Sequence, residues 1–256
     1  MTGENPSVEQ SCDDFLGGAI RVWQPKKGFR AGVDAVLMAA SVPAKEGERV
    51  LDLGCGVGTA ALCLLARVPK TTACGLELQS VLYRLALKNR VENAFEARFT
   101  ALNGDILKLA DAEGGRLEDA SFDHVMCNPP FMPPGRSNPS EDPIRLLANH
   151  EGEASLEDWI HVGLRLLKHK GTLTLIHRSD RLGDILSILQ AKKAGDIHVC
   201  PLWPASGEPA KRVLVRARRS VRTPMTLLPG VVMHQKDGSY PPEIRAVLAE
   251  GAALPF

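Results

Sequence analysis

The sequence predicts an α/β fold: a central, mostly parallel sheet with helices on both faces and an antiparallel hairpin at one edge. Three observations lead there. Short apolar runs alternate with helical patterns through the middle of the chain, the order produced by strand–helix–strand units. A glycine-rich turn at 54–58 joins the first of those runs to a helical pattern. After residue 190 the period changes, and two strand-like runs follow one another across a Pro- and Gly-bearing loop.

The elements follow in order. Residues 1–10, MTGENPSVEQ, are polar, lack the basic start and apolar core of a signal peptide, and read as a disordered tail. Residues 11–45 precede the first core strand and hold a helical pattern at 34–41. Strands are expected at 50–53, 73–76, 99–102, 124–127 and 173–177. Between them lie helical patterns at 57–68 and at 81–90, the latter with Leu82, Leu85 and Ala86 on one face. A third, 156–168, spaces Leu156, Trp159, Ile160, Gly163, Leu166 and Leu167 three or four apart, and Ser155 with Asp158 makes a capping-box start. A fourth, 181–190, carries Leu182, Ile185, Leu186 and Leu189. Runs at 197–202 and 212–217 fit the edge hairpin. Residues 46–222 thus form the main domain. The stretch 223–256, with scattered prolines before a helical run at 242–249, reads as a C-terminal wrap on that domain.

Composition bounds the function. A chain of 256 residues, 44% apolar and 24% charged, suits one α/β domain with small additions. The net charge of +1 points to no partner, so only local clusters of cations can mark one. No apolar run is long enough to span a bilayer. The six cysteines make no C-x-x-C pair and sit mostly in apolar runs, which argues for reduced thiols, a cytoplasmic location and no zinc or other metal site.

The run RVLDLGCGVGTAAL, 49–62, is strand, turn, helix. Gly54, Gly56 and Gly58 let the backbone turn tightly and come close to a ligand at the start of the helix. Alone the pattern also fits a dinucleotide-binding oxidoreductase. Two details differ: Asp52 stands in the strand end, and the glycines read G-x-G-x-G. That combination resembles the first motif of Rossmann-like methyltransferases, and the resemblance implies S-adenosylmethionine as cofactor. The second strand ends in GLEL, where Glu77, beside Leu78, can accept both ribose hydroxyls. The third ends in LNGDIL, where Asp105 can accept from an adenine amino group and Ile106 can pack on its ring. Three carboxylates at three consecutive strand ends would line one crevice at the carboxyl edge of the sheet.

The fourth strand stops at Asn128-Pro129-Pro130-Phe131. Two prolines cannot donate to a sheet, so they end it and leave a rigid carbonyl at Pro129. An amino nitrogen conjugated to a ring is a poor nucleophile. The Asn128 side-chain oxygen, which also faces the cofactor, and the Pro129 carbonyl can each accept one of its N–H groups and aim its lone pair at a methyl donor. Phe131 offers a face for a planar acceptor.

Together LDLGCGVGT, GLEL, NGDI and CNPPF resemble the Rossmann-like N-methyltransferases, including the small-domain group, over roughly residues 20–220. The fold this implies is a class I methyltransferase with a seven-stranded sheet. The upstream QPKKGFRAGVDAVLMAA and the tail HQKDGSYPPE are similar to those of bacterial enzymes that methylate N6 of the adenine next to the anticodon in valine tRNA. By that match residues 11–45 close over the cofactor, with Phe29, Arg30, Gly32 and Asp34 on the cofactor side, and the partner is tRNA.

The stretch AKRVLVRARRSVR, 210–222, has no acid, and alternation puts Arg212, Arg216 and Arg218 on one face of a strand. These arginines, with Lys26 and Lys27, are candidate contacts for an RNA backbone. The competing explanation is an edge strand that uses charge against aggregation. Residues 135–155, with Arg136, Arg145 and His150, have no chemical interpretation beyond a loop over the site. Rival functions are guanine-N2 methylation of rRNA, methylation of a protein glutamine, DNA adenine methylation, a non-catalytic cofactor-binding module and a nicotinamide-dependent oxidoreductase.

Overall fold

The computed structural model describes residues 9–28, 30–113, 117–131, 153–254 and 256. A hairpin comes first, β1 (Gln10–Phe15) with β2 (Ile20–Pro25), followed by helix α1 (Val33–Ser41). Then β3 (Arg49–Leu53), α2 (Thr59–Arg67), β4 (Thr72–Glu77), α3 (Ser80–Glu92), β5 (Phe99–Asn103) and β6 (Phe122–Cys127) alternate. Helix α4 (Leu156–Leu166) leads into β7 (Leu167–Arg178), and α5 (Leu182–Ala191) into β8 (Gly195–Ala205) and β9 (Arg212–Arg218). Two short strands, β10 (Thr226–Leu227) and β11 (Val231–His234), and helix α6 (Pro242–Glu250) follow.

The main sheet runs β10-β8-β9-β7-β6-β3-β4-β5, with β11 also on β8. Every pairing in it is parallel except those of β9. The expected strands and helices are all present. Among the described residues the sheet has nine strands where seven were expected, because two pieces of the C-terminal stretch pair with the open edge of β8. Pro229 and Gly230 split that addition, and the Gly230 φ of +84° turns the chain beneath Trp203. The β8–β9 hairpin therefore lies inside the sheet border. The helix expected at 156–168 stops at Leu166, since Leu167 is extended and pairs with Phe122 of β6.

Alternation along each strand feeds two cores. Val50 packs with α1, α2, α3 and α6 on one face, while Leu51 and Leu53 pack with α4 and α5 on the other. Ser155 caps α4 in the expected box, its side chain accepting from the Asp158 backbone. The N-terminal hairpin is held against α3 by two asparagines: Asn89 accepts from the Trp23 backbone N–H at 2.7 Å, and Asn93 from that of Arg21 at 2.8 Å. Of the expected tail, residues 1–8 lie outside the described residues, and Gln10 already belongs to β1.

Candidate active site

Register brings the candidate residues together. Leu53 pairs with Cys127 on one side and with Leu76 on the other, and Glu77 pairs with Asn103. The chain therefore leaves the sheet at neighbouring points: the glycine turn after β3, Glu77 at the tip of β4, Asp105 just past β5, and Asn128 just past β6. This is the carboxyl edge where the strand order reverses around β3, the place where open α/β sheets take ligands.

The glycine turn is built as the sequence requires. Gly54, Gly56 and Gly58 have φ of +69°, +57° and +87°, all in the left-handed region. Gly58 is the N-cap of α2 and supplies no side chain to close it. The Gly56 N–H donates to Glu77 Oε2 at 2.9 Å, and Gln79 N–H to Oε1 at 2.8 Å, so Glu77 ties the turn to β4. Burial raises the Glu77 pKa, against the pull of those backbone donors. Asp52 shares the face of Val50, beneath α2, and is 2% exposed. Burial, opposed by a backbone hydrogen bond from Ala61 and reinforced by Glu77, pushes its pKa up to about 8. One of its oxygens, Oδ2, has no partner.

Asp105 is half-buried and accepts from its own loop, from the Leu107 N–H at 2.9 Å. Ile106 is buried while Leu78 is 57% exposed, so only the isoleucine forms wall. Asn128 is half-buried, yet its Oδ1 is sealed from solvent without a hydrogen-bond partner. A buried carbonyl left unpaired costs about 1–3 kcal/mol, which a ligand N–H would recover. Pro129 is buried, and Phe131 meets the His177 ring at 83° with centroids 5.3 Å apart.

A methyltransferase small domain model fits residues 30–183, more than half of the 256-residue chain. The chain belongs to the methyltransferase small domain family. It is similar to two proteins named tRNA1(Val) (adenine(37)-N6)-methyltransferase. The one from Aeromonas hydrophila is 28% identical over 83% of this chain and 85% of that one. The one from Porphyromonas gingivalis is 29% identical over 84% and 85%. Among solved structures it resembles a predicted O-methyltransferase from Agrobacterium tumefaciens, with a TM-score of 0.71 and 28% identity over 86% of this chain and 98% of the other.

This methyltransferase treats its upstream residues differently from the crevice residues. Arg30 is ion-paired with Asp13 and donates to Ser11 Oγ at 2.8 Å, which binds it to the hairpin. Gly32 caps α1 in extended backbone with open space where a Cβ would stand, so nothing local demands glycine there. Asp34 pairs with Arg212 at 3.1 Å. Phe29, Arg136, Arg145 and His150 lie outside the described residues.

The three arginines expected to form an open stripe do not. They lie on an interior strand, on the face of Leu214, which belongs to the core of α1 and α6. Arg212 spans from Asp34 to the Phe131 ring, 4.8 Å from its centroid. Arg216 donates to the Phe256 carbonyl at 2.7 Å and stacks on its ring. Arg218 donates to the Lys170 carbonyl at 3.1 Å. Lys26 and Lys27 are exposed, Lys26 paired with Glu9.

Trp159 escaped notice as a site residue because its spacing marks it as one more apolar position of α4. Its indole lies against the glycine turn: a Cβ on Gly54 would stand 2.5 Å from the ring, and the indole N–H has no partner. His177 lies one residue before the end of β7, which runs beside β6, and only the fold puts it next to Phe131. A separate cavity of about 430 Å³, lined by Arg49, Cys74, Thr100 and Phe122 among others, includes none of the crevice residues. Among the described residues no group of three potential ligands is placed to hold a metal.

Proposed function

We propose that this methyltransferase transfers the methyl group of S-adenosylmethionine to N6 of an anticodon-loop adenine in tRNA, that of valine tRNA as in the names of its relatives. The observation that carries the proposal is the unpartnered Asn128 Oδ1 at the strand tip beside the glycine turn. The crevice fits the donor: Asp52 offers a buried unpaired acceptor, and Glu77 a carboxylate at the tip of β4. When bound, S-adenosylmethionine supplies an electrophilic methyl on a sulfonium; as the N–C bond forms the S–C bond breaks, S-adenosylhomocysteine leaves, and the proton released from the amine passes to water.

The chain's own residues do the rest by position. Gly54, Gly56 and Gly58 admit the donor to the backbone, Glu77 takes the ribose hydroxyls, and Asp105 with Ile106 takes the adenine ring. Asn128 Oδ1 and the Pro129 carbonyl each hold one N–H of the acceptor amine, and Phe131 carries the flipped base. The Pro130 ring, without an N–H, keeps the loop out of the sheet. An anticodon-loop base is partly unstacked already, so its extrusion costs less than that of a paired base. Lys26 and Lys27 are the exposed cations offered to the RNA backbone. No described helix is long and apolar enough to cross a membrane. A tRNA substrate supports the expected cytoplasmic location.

Mass spectrometry of nucleosides tests this. In a strain lacking the protein, tRNA should lose N6-methyladenosine, and purified protein with donor should restore it. Transfer to rRNA guanine N2 or to protein glutamine, with tRNA unchanged, would replace the proposal.

A further inference from the structure

We propose that Arg212 is a positioning residue for the Phe131 ring, and that Asp34 holds Arg212 in place. The inference rests on the reading of Phe131 as the face for the acceptor base. Arg212 comes from β9 and Asp34 from the first turn of α1, 178 residues apart, yet Arg212 Nε donates to Asp34 Oδ2 at 3.1 Å. The Arg212 Nη1 donates to the Lys211 carbonyl at 3.3 Å, which fixes the plane of the fork from a second side. Its carbon centre then lies 4.8 Å from the Phe131 centroid, within cation–π range.

Two features favour positioning over a grip on phosphate. Asp34 already matches the Arg212 charge, so a second anion gains less from it. Directly across the strand pair stands Arg178, and like charges facing each other are unfavourable unless each has its own acid. Arg178 has Asp180, and Arg212 has Asp34. The pairing turns Arg212 toward α1 and the aromatic ring. Phe131 follows two prolines and is half-buried, and among the described residues the Arg212 guanidinium and the His177 ring both lie against it, one over its face and the other at 83° to it. Helix α1 and the acceptor loop are thereby linked through one side chain.

A double-mutant cycle on methyl transfer to tRNA at saturating donor tests this, with Phe131→Ala, Arg212→Ala and the pair. Arg212→Ala should lower kcat ~10-fold, leaving donor affinity and the salt slope of tRNA binding unchanged. The pair should be no slower than Phe131→Ala alone. Arg212→Lys should not restore kcat, because an ammonium cannot both hold Asp34 and lie flat on the ring. Asp34→Asn should reproduce the Arg212→Ala pattern, and serves if Arg212→Ala does not fold. Losses that add, a flatter salt slope, or an unchanged kcat would overturn the proposal. Full activity in Phe131→Ala would instead remove the acceptor reading beneath it.

Discussion

Leu53 and Cys127 face each other as the last paired residues of β3 and β6. The glycine turn and Asn128 therefore leave the sheet side by side, and the proposed function gives one loop to the donor and one to the acceptor. If that division holds, Asn128→Ala should leave donor affinity nearly unchanged and cut turnover by ~10²-fold or more. Calorimetry with S-adenosylmethionine and single-turnover rates with tRNA separate the two; equal loss of both would place Asn128 in the donor site. Little stability should be lost, because the Asn128 oxygen has no partner to abandon.

Asp52 makes stability depend on pH in a definite direction. Its carboxyl titrates near 3.8 in an unfolded chain and at about 8 in the fold. Across that window the folded state keeps a proton that the unfolded state releases, so stability falls as pH rises and levels off above about 8. Glu77, also raised, acts in the same sense. Thermal melts should show Asp52→Asn with a flatter pH profile and a Tm above wild type at pH 8. Donor affinity should drop, the usual exchange of function for stability. A Tm below wild type at that pH would contradict the burial account.

The same carboxyl predicts a proton count. A cationic donor beside Asp52 favours its ionised form, so binding at pH 7 should release protons, and affinity should rise between pH 6 and 8. Calorimetry in buffers of different ionisation enthalpy reads the release, and Asp52→Asn should abolish it.

Gly54→Ala should cost ~1–3 kcal/mol and most donor affinity, because the φ of +69° disfavours a side chain and Trp159 already fills the space. Trp159→Ala should relieve the collision but not the backbone strain. A double variant as stable as wild type would mean the turn itself is unstrained.

Arg216→Ala should leave the salt dependence of tRNA binding unchanged, since Arg216 is spent on His198 and Phe256. It should lower stability by ~1 kcal/mol. Replacing Lys26 and Lys27 by Ala should flatten the salt slope, by about one unit for each phosphate no longer neutralised. The reverse pattern would return phosphate binding to β9.

Much of this was legible in the sequence because local rules and the fold agree there. Val50 and Leu51 alternate between two cores, Gly54, Gly56 and Gly58 each need positive φ, and Ser155 caps α4 with Asp158. The missing pieces are those set by distant partners. The polar run Ser11, Cys12, Asp13, Asp14 has no strand period, and its hairpin is anchored by Asn89 of α3 and by Asn93, which caps that helix. Strands β10 and β11 are two and four residues long, below what pattern can register. Arg212 and Arg216 show the same limit, since alternation identifies their shared face but not that α1 and Phe256 cover it.

The most direct test is a crystal structure with S-adenosylhomocysteine. The account predicts its sulfur between the tips of β3 and β6, facing Asn128, with the ribose hydroxyls on Glu77. A ligand in the cavity between Arg49, Cys74 and Phe122, or an Asn128 side chain turned away from the sulfur, would contradict it.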